Sequence, residues 1–121
     1  MEKNRTIFKK TAIVICALAI CILTFSSDLY AEFNVKEVQK LLASDGAASD
    51  YFGDSVSIHG DYAIIGAYRD DDKGSFSGSA YIFKREGDAW TQQAKLLADD
   101  GAVSDYFGDS VSIHGDYAII G

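Results

Sequence analysis

Residues 55–59 alternate, with Val56 and Ile58 on one face and Ser55, Ser57 and His59 on the other, which is the period of a β-strand. Gly60-Asp61 follows as a tight hairpin turn. Residues 62–68 (YAIIGAY) are apolar on both faces and predict a strand buried between two layers. Residues 69–78 are polar and glycine-rich, a loop. Residues 79–85 (SAYIFKR) carry the aromatic and β-branched content of a strand, and Gly87-Asp88 turns the chain again. Residues 90–98 are more polar and suit an outer strand. The pattern is one of four short antiparallel strands.

The pattern then recurs. Residues 40–66 and 95–121 align at an offset of 55, differing in only two of 27 positions, Ser44 against Asp99 and Ala48 against Val103. The period sets the architecture: an all-β fold of four-stranded antiparallel units, with copies at 40–94 and 95–121 and about one and a half repeats present. The segment 32–43 can be drawn as an amphipathic helix with Phe33, Val38, Leu41 and Leu42 on one face. The repeat favours a strand over 35–43, because Val35 aligns with Trp90. That strand is expected to stand isolated, as an outer strand ahead of the first complete unit.

Residues 1–31 have a different composition. A basic stretch containing Lys3, Arg5, Lys9 and Lys10 precedes a 15-residue uncharged apolar run, Thr11 to Phe25, and a short polar region. These are the parts of a secretory signal peptide, expected as a helix, with cleavage between Ala31 and Glu32. Fifteen apolar residues are short of the roughly 20 that a spanning helix needs. No stable membrane span is therefore expected after cleavage. Cys16 and Cys21 both fall in this segment and have no metal or redox partner elsewhere in the chain. The domain reading is signal peptide at 1–31 and repeat region at 32–121. Localisation is expected to be secreted, periplasmic or at the cell surface.

Separating the two parts sharpens the charge. The whole chain of 121 residues has a formal net charge of −7, while residues 32–121 hold 7 basic and 16 acidic residues. Such a surface repels phosphate backbones and excludes nucleic acid as a partner.

The ordered set Tyr51-Phe52-Gly53-Asp54-Ser55-Val56, Ile64-Ile65-Gly66-Ala67 and Gly78-Ser79-Ala80-Tyr81-Ile82-Phe83 resembles the FG-GAP repeat family. The second copy matches at Phe107-Gly108 and Ile119-Ile120-Gly121. These repeats are the blades of integrin α-subunit β-propellers and of many bacterial exported proteins. The resemblance implies propeller blades whose two faces are covered by neighbouring blades. Phe52 and Phe107 are then expected in the interblade layer. Gly53 and Gly108 turn the chain into the innermost strand, and Gly66-Ala67, with Gly121, leaves room where strands crowd.

The calcium-binding repeats of the integrin type carry an Asp-rich loop between their first two strands. Here that connection is only His59-Gly60-Asp61-Tyr62, too short to wrap an ion that takes six to eight oxygens. The acidic run Asp70, Asp71, Asp72 is read as a solvated loop in preference to a calcium site, and Asp45 with Asp50 (copies Asp100 and Asp105) likewise. No cofactor is expected. His59 and His114 are repeat equivalents at hairpin turns, and Ser55, Ser57 and Ser110 have no paired base. No nucleophile elbow, phosphate loop or zinc pattern is present, so no catalytic residue is assigned.

The expected function is an exported propeller module that binds or adheres without catalysis in this segment. Its partners are an extracellular protein or carbohydrate and the remaining blades. The alternatives are the N-terminal propeller part of a larger exported hydrolase, or a truncated product without function.

Overall fold

The computed structural model describes residues 5–11 and 34–121, and within them the chain is all β. Eight strands run in order: β1 (Arg5–Thr11), β2 (Asn34–Leu41), β3 (Val56–His59), β4 (Tyr62–Ala67), β5 (Ser79–Glu86), β6 (Ala89–Leu96), β7 (Val111–His114) and β8 (Tyr117–Ile120). They form a β1–β2 ribbon, a four-stranded meander β3-β4-β5-β6 and a β7–β8 hairpin, all antiparallel. The meander is the expected four-strand unit, with boundaries within two residues of those the alternation predicts.

The middle sheet is covered on both faces. Odd positions of β4 face the ribbon, where Leu41, Phe52, Ala63, Ile65, Ala67, Tyr81, Phe83 and Trp90 make one buried cluster. Ile7 and Ala43 pack against its rim. The even positions face the β7–β8 side. Ile64 there is fully buried, and a cavity of about 390 Å³ is lined by Tyr62, Ile82, Leu96 and Ile113 among others. Phe52 sits edge-on to Tyr81 and Phe83, at centroid distances of 5.4 and 6.2 Å. Its repeat partner Phe107 is only half-buried, since no counterpart of β5 flanks it among the described residues.

The ribbon departs from the sequence reading in two ways. Residues 5–11, expected within a helical signal, are a strand. The rest of the apolar run, both cysteines and the Ala31–Glu32 cleavage point lie outside the described residues. The strand over residues 34–41 is confirmed but is not isolated, because it pairs with β1. The reason is visible in the register. Arg5↔Leu41, Ile7↔Gln39, Phe8↔Glu37 and Thr11↔Asn34 correspond one for one with Ala80↔Leu96, Ile82↔Ala94, Phe83↔Gln92 and Glu86↔Ala89. The register shift between Ile7 and Phe8 falls at the same place as that between Ile82 and Phe83. Ile7-Phe8-Lys9-Lys10 thus stands where the middle sheet has Ile82-Phe83-Lys84-Arg85.

The ribbon is fastened to the outer strand of the middle sheet by side-chain amides. Trp90, opposite Arg85 next to the Gly87-Asp88 turn, bonds outward: its N–H donates to Gln39 Oε1 at 2.8 Å, and its carbonyl accepts from Gln39 Nε2 at 2.9 Å. One side chain thereby acts as a single-residue strand on an exposed edge. Ser44 and Gln92 form a second reciprocal pair at 3.0 Å each way.

On the opposite face the backbones come closest at Gly66 and Gly108. A Cβ on Gly66 would collide with the Gly108 carbonyl, and Gly108 itself holds φ +94° against the carbonyl of Ser79. The room expected at the glycine-alanine pair is thus taken by the next repeat's chain. Gly66→Ala is expected to push the β7–β8 hairpin off the sheet at a cost of about 1–3 kcal/mol. Amide exchange at Val111 and Ile113 checks it, with faster exchange there than at β5 as the expected result.

Candidate functional site

Two loop-borne clusters and one strand-borne array bring together the residues that carry chemistry. The array lies where the two repeats meet. Ser55 Oγ accepts the N–H of Val111 at 2.9 Å, Ser57 Oγ that of Ile113 at 3.1 Å, and His59 Nδ1 that of Gly115 at 3.2 Å. The polar face of the alternating strand is therefore spent on hydrogen bonds, with Ser55 and Ser57 half-buried and His59 exposed. It supplies acceptors to the free edge of the next repeat's innermost strand, at the two-residue spacing of a β-ladder. His59 and His114 meet in the same junction, with ring centroids 4.5 Å apart and planes tilted by 55°. The apolar face of β3, with Val56 and Ile58, lines a cavity of about 510 Å³ shared with Thr6, Ile7 and Leu41.

The first loop cluster is acidic, and its centre is a lysine. Asp70 and Asp72, from the run after β4, meet Asp45 from the loop after β2, with ligand atoms within 4.8 Å of one another. Lys95 Nζ lies 2.7 Å from Asp45, 2.8 Å from Asp70 and 2.7 Å from Asp72. The ammonium thus occupies the point where a cation would sit. Asp71 is not part of the group: its Oδ1 accepts the Phe76 N–H at 2.7 Å. Asp50 and Asp105 also stand apart, each accepting an N–H from its own Gly-Ala loop, Ala47 and Ala102 respectively. The solvated-loop reading is therefore corrected for Asp70, which is buried and saturated with donors. These are Ser79 Oγ at 3.1 Å, the Asp72 N–H at 3.0 Å and Lys95. Asp100 remains exposed.

Tyr81 completes the cluster from β5, its hydroxyl 2.9 Å from Asp45 Oδ1 and 3.0 Å from Asp70 Oδ2. Burial pushes the Tyr81 phenol well above its ordinary value. Asp45 is held below the usual carboxylate range chiefly by its hydrogen bond from Lys95. At Asp70 burial opposes ionisation, but Lys95, the Asp72 N–H and Tyr81 outweigh it, and the net direction is down. For Lys95 burial disfavours the charge and three carboxylates more than restore it, so it stays protonated. In this arrangement the ammonium takes one oxygen of each of the three carboxylates.

The second loop cluster is aromatic. Arg69 places its guanidinium 4.5 Å from the Tyr51 ring centroid and 5.4 Å from those of Tyr68 and Phe76. Tyr106, from the second repeat, lies 6.1 Å from both Tyr68 and Phe76. Tyr51, Phe76 and Tyr106 hold φ of 58°, 59° and 55°, the left-handed region that side chains of this bulk rarely enter. Arg69 Nε is buried without an acceptor, and among the described residues no carboxylate pairs with this guanidinium.

A four-stranded sheet packed between two two-stranded ones, with a Phe-Gly entry and a glycine-alanine exit, fits the family that the sequence comparison gives. The FG-GAP repeat profile matches residues 35–83 and 90–121. The chain belongs to the FG-GAP repeat family. Comparison with curated proteins and with solved structures found no match. As an FG-GAP protein it forms propeller-type blades, here one whole sheet between two halves.

The structure places Phe52 in the buried cluster and Gly66 against the Gly108 carbonyl, whereas the bonding of Tyr81, the part played by Lys95 and the Arg69 cluster did not follow from the sequence pattern. Lys95 left one signal, its exact copy at Lys40, inside a repeat otherwise read for glycine and aromatic positions.

Lys95→Met leaves three carboxylates facing one another and is expected to cost about 2–4 kcal/mol at pH 7, two of them being half-exposed. The pH response separates it from a packing defect. Carboxyls with folded values below their unfolded ones stabilise the native protein above about pH 4 and lose that contribution as pH falls through the folded values. Wild type should therefore lose stability only on acidification below about pH 4. The Lys95→Met protein should instead gain stability between pH 7 and 5, as its crowded carboxylates take up protons. Thermal melts across that range check both.

Proposed function

We propose that this segment is part of an exported binding module that presents a ligand surface on its loop side and performs no catalysis within residues 34–121. The observation that carries the reading is the Arg69 cluster. Three aromatic rings, Tyr51, Tyr68 and Phe76, surround one guanidinium and Tyr106 from the next repeat packs against two of them, while Phe76 and Tyr106 keep 36 % and 39 % of their surface exposed. Aromatic faces of this kind take the C–H face of a sugar or an apolar protein side chain, and a guanidinium donates to a hydroxyl or carboxylate beside them. Holding three of the rings in left-handed backbone costs of order 1–3 kcal/mol each, which the blade junction around them must supply.

FG-GAP repeats typically lie in extracellular domains, and among the described residues no helix is long and apolar enough to cross a membrane. The basic and apolar segment ahead of residue 31 supports export. An extracellular protein or carbohydrate is accordingly the ligand class proposed. Against catalysis stand the occupied bonding partners of the polar groups: Lys95 and Tyr81 donate to Asp45 and Asp70, and Ser55, Ser57 and His59 accept from backbone N–H groups.

The test screens the full chain against immobilised glycans and a panel of extracellular-matrix proteins. A variant carrying Arg69→Ala and Tyr106→Ala is expected to bind any captured ligand at least tenfold more weakly, with its melting temperature within a few degrees of wild type. Undiminished binding by that variant overturns the assignment of this surface.

A further inference from the structure

We propose that the Arg69 cluster takes an acidic sugar: the pyranose ring of a uronic acid lies on Phe76, and its single carboxylate meets the Arg69 guanidinium. The inference rests on the reading of the loop side as a ligand surface, and narrows it from any glycan or protein to one ligand chemistry. The cluster is built from the loops 42–55, 68–78 and 97–110, each held by a strand at either end.

The state of the guanidinium points to an anion. A guanidinium has five N–H donors and no acceptor, so one drawn in among aromatic rings ordinarily has a carboxylate beside it. Arg69 has none. Its side-chain nitrogens bond no acceptor among the described residues, and of these nitrogens only Nε is sealed from solvent. The acids on the same loops are committed elsewhere. Asp50 accepts the Ala47 N–H at 2.7 Å, Asp71 that of Phe76 at 2.7 Å and Asp105 that of Ala102 at 2.6 Å, while Asp70 holds Lys95. The two terminal nitrogens thus stay open, the fork that a carboxylate fills with two parallel hydrogen bonds.

The rings define the rest of the ligand. Tyr51 backs the guanidinium at 4.5 Å, and Phe76 is steadied by Tyr106, whose ring lies 11° from parallel with it. Phe76 keeps 36 % of its surface exposed, and its centre lies 5.4 Å from the guanidinium carbon. One hexopyranose spans that distance, with its C–H face on the ring and the carboxylate on C5 at Arg69. The Tyr51 and Tyr68 hydroxyls make no hydrogen bond among the described residues. Sugar hydroxyls answer them, whereas an apolar or acidic protein side chain does not, which favours a sugar over a peptide.

Charge restricts the ligand to one anionic group. Asp50, Asp70, Asp71, Asp72 and Asp105 lie on the same loops, in a segment with 16 acidic and 7 basic residues. That field repels a polyanion, while a single carboxylate at Arg69 gives an unpaired cation its partner. A uronic acid within an otherwise neutral glycan meets both conditions. Polyuronates and sulfated chains do not.

The experiment titrates the isotope-labelled full chain by NMR with methyl glucuronide, methyl glucoside, N-acetylglutamate and trigalacturonate, following the Arg69 Nε–H and the Phe76 amide. Methyl glucuronide is expected to bind at least tenfold more tightly than methyl glucoside or N-acetylglutamate, and trigalacturonate no more tightly than methyl glucuronide. Arg69→Gln is expected to bring glucuronide and glucoside within about twofold of each other. Phe76→Ala is expected to weaken both sugars alike and keep their ratio, which a variant with a general folding defect would not do. Glucoside binding equal to glucuronide, or a glucuronide preference kept by Arg69→Gln, overturns the acidic sugar and leaves the loop surface standing as a ligand site. Tighter binding of N-acetylglutamate assigns an acidic peptide, and tighter binding of trigalacturonate a polyanion; each overturns the proposal. If no probe perturbs the cluster the proposal falls, and the glycan and matrix-protein panel alone decides the surface.

Discussion

The innermost strand of a blade has a neighbour on one edge only, and the amides on its other edge need acceptors that no strand supplies. The chain meets this constraint by spending the polar face of one repeat on the next. Ser55, Ser57 and His59 point across the junction at strand spacing and take the N–H groups of Val111, Ile113 and Gly115. A half-buried amide left without a partner costs about 1–3 kcal/mol, so those of Val111 and Ile113 together are comparable to a sizeable part of a small domain's net stability, while the exposed Gly115 bond adds less. The alternation that makes β3 legible as a strand is thus also the device that orders the repeats. The closeness it demands explains why the backbone at Gly66 and Gly108 carries no side chain.

A second set of contacts ties each repeat to the one before it from the outside. Gln39 closes the exposed edge at Trp90, Ser44 exchanges hydrogen bonds with Gln92, and Asp45 reaches into the cluster around Lys95. The inner junction relies on neutral acceptors, the outer one on an ammonium shared by three carboxylates. Asp70, the only buried member of the trio, is the pivot, since its carboxylate also takes Ser79 and neighbours Tyr81. A cationic side chain supplies here the neutralisation that a bound ion supplies in other acidic loops, and the site is built from residues on β2's following loop, the β4–β5 loop, β5 and β6.

Much of this was legible because a 55-residue period exposes the same strand pattern twice. Residues 56–59, 62–67 and 79–86 announce themselves by alternation, by continuous apolarity and by aromatic content. Phe52 and Gly66 stand at motif positions whose packing roles follow from blade geometry. The acidic run 70–72 was visible but its meaning was not, because the cation that fills it comes from Lys95, more than twenty residues away on an outer strand. The Arg69 cluster hid for the same reason: Tyr51, Tyr68, Phe76 and Tyr106 meet only after three loops fold together. β1 escaped because its likeness to β5 runs at an offset of 75, not 55, and sits in a segment whose charge and apolar run describe a signal equally well. Two patterns overlap on those seven residues, and periodicity alone does not choose between them.

The matched registers of β1–β2 and β5–β6 have a further meaning for how this scaffold tolerates change. The middle pair is joined by the two residues Gly87-Asp88, the ribbon by the 22 residues from 12 to 33. Lengthening a closed loop elevenfold costs only about 2 kcal/mol in chain entropy, because the penalty grows with the logarithm of length. The rim of the outer hairpin is therefore a place where foreign sequence can be spliced in while strand pairing, bulge and face assignment persist. A targeting segment, an epitope or a small domain could enter at Gly87-Asp88 by the same allowance.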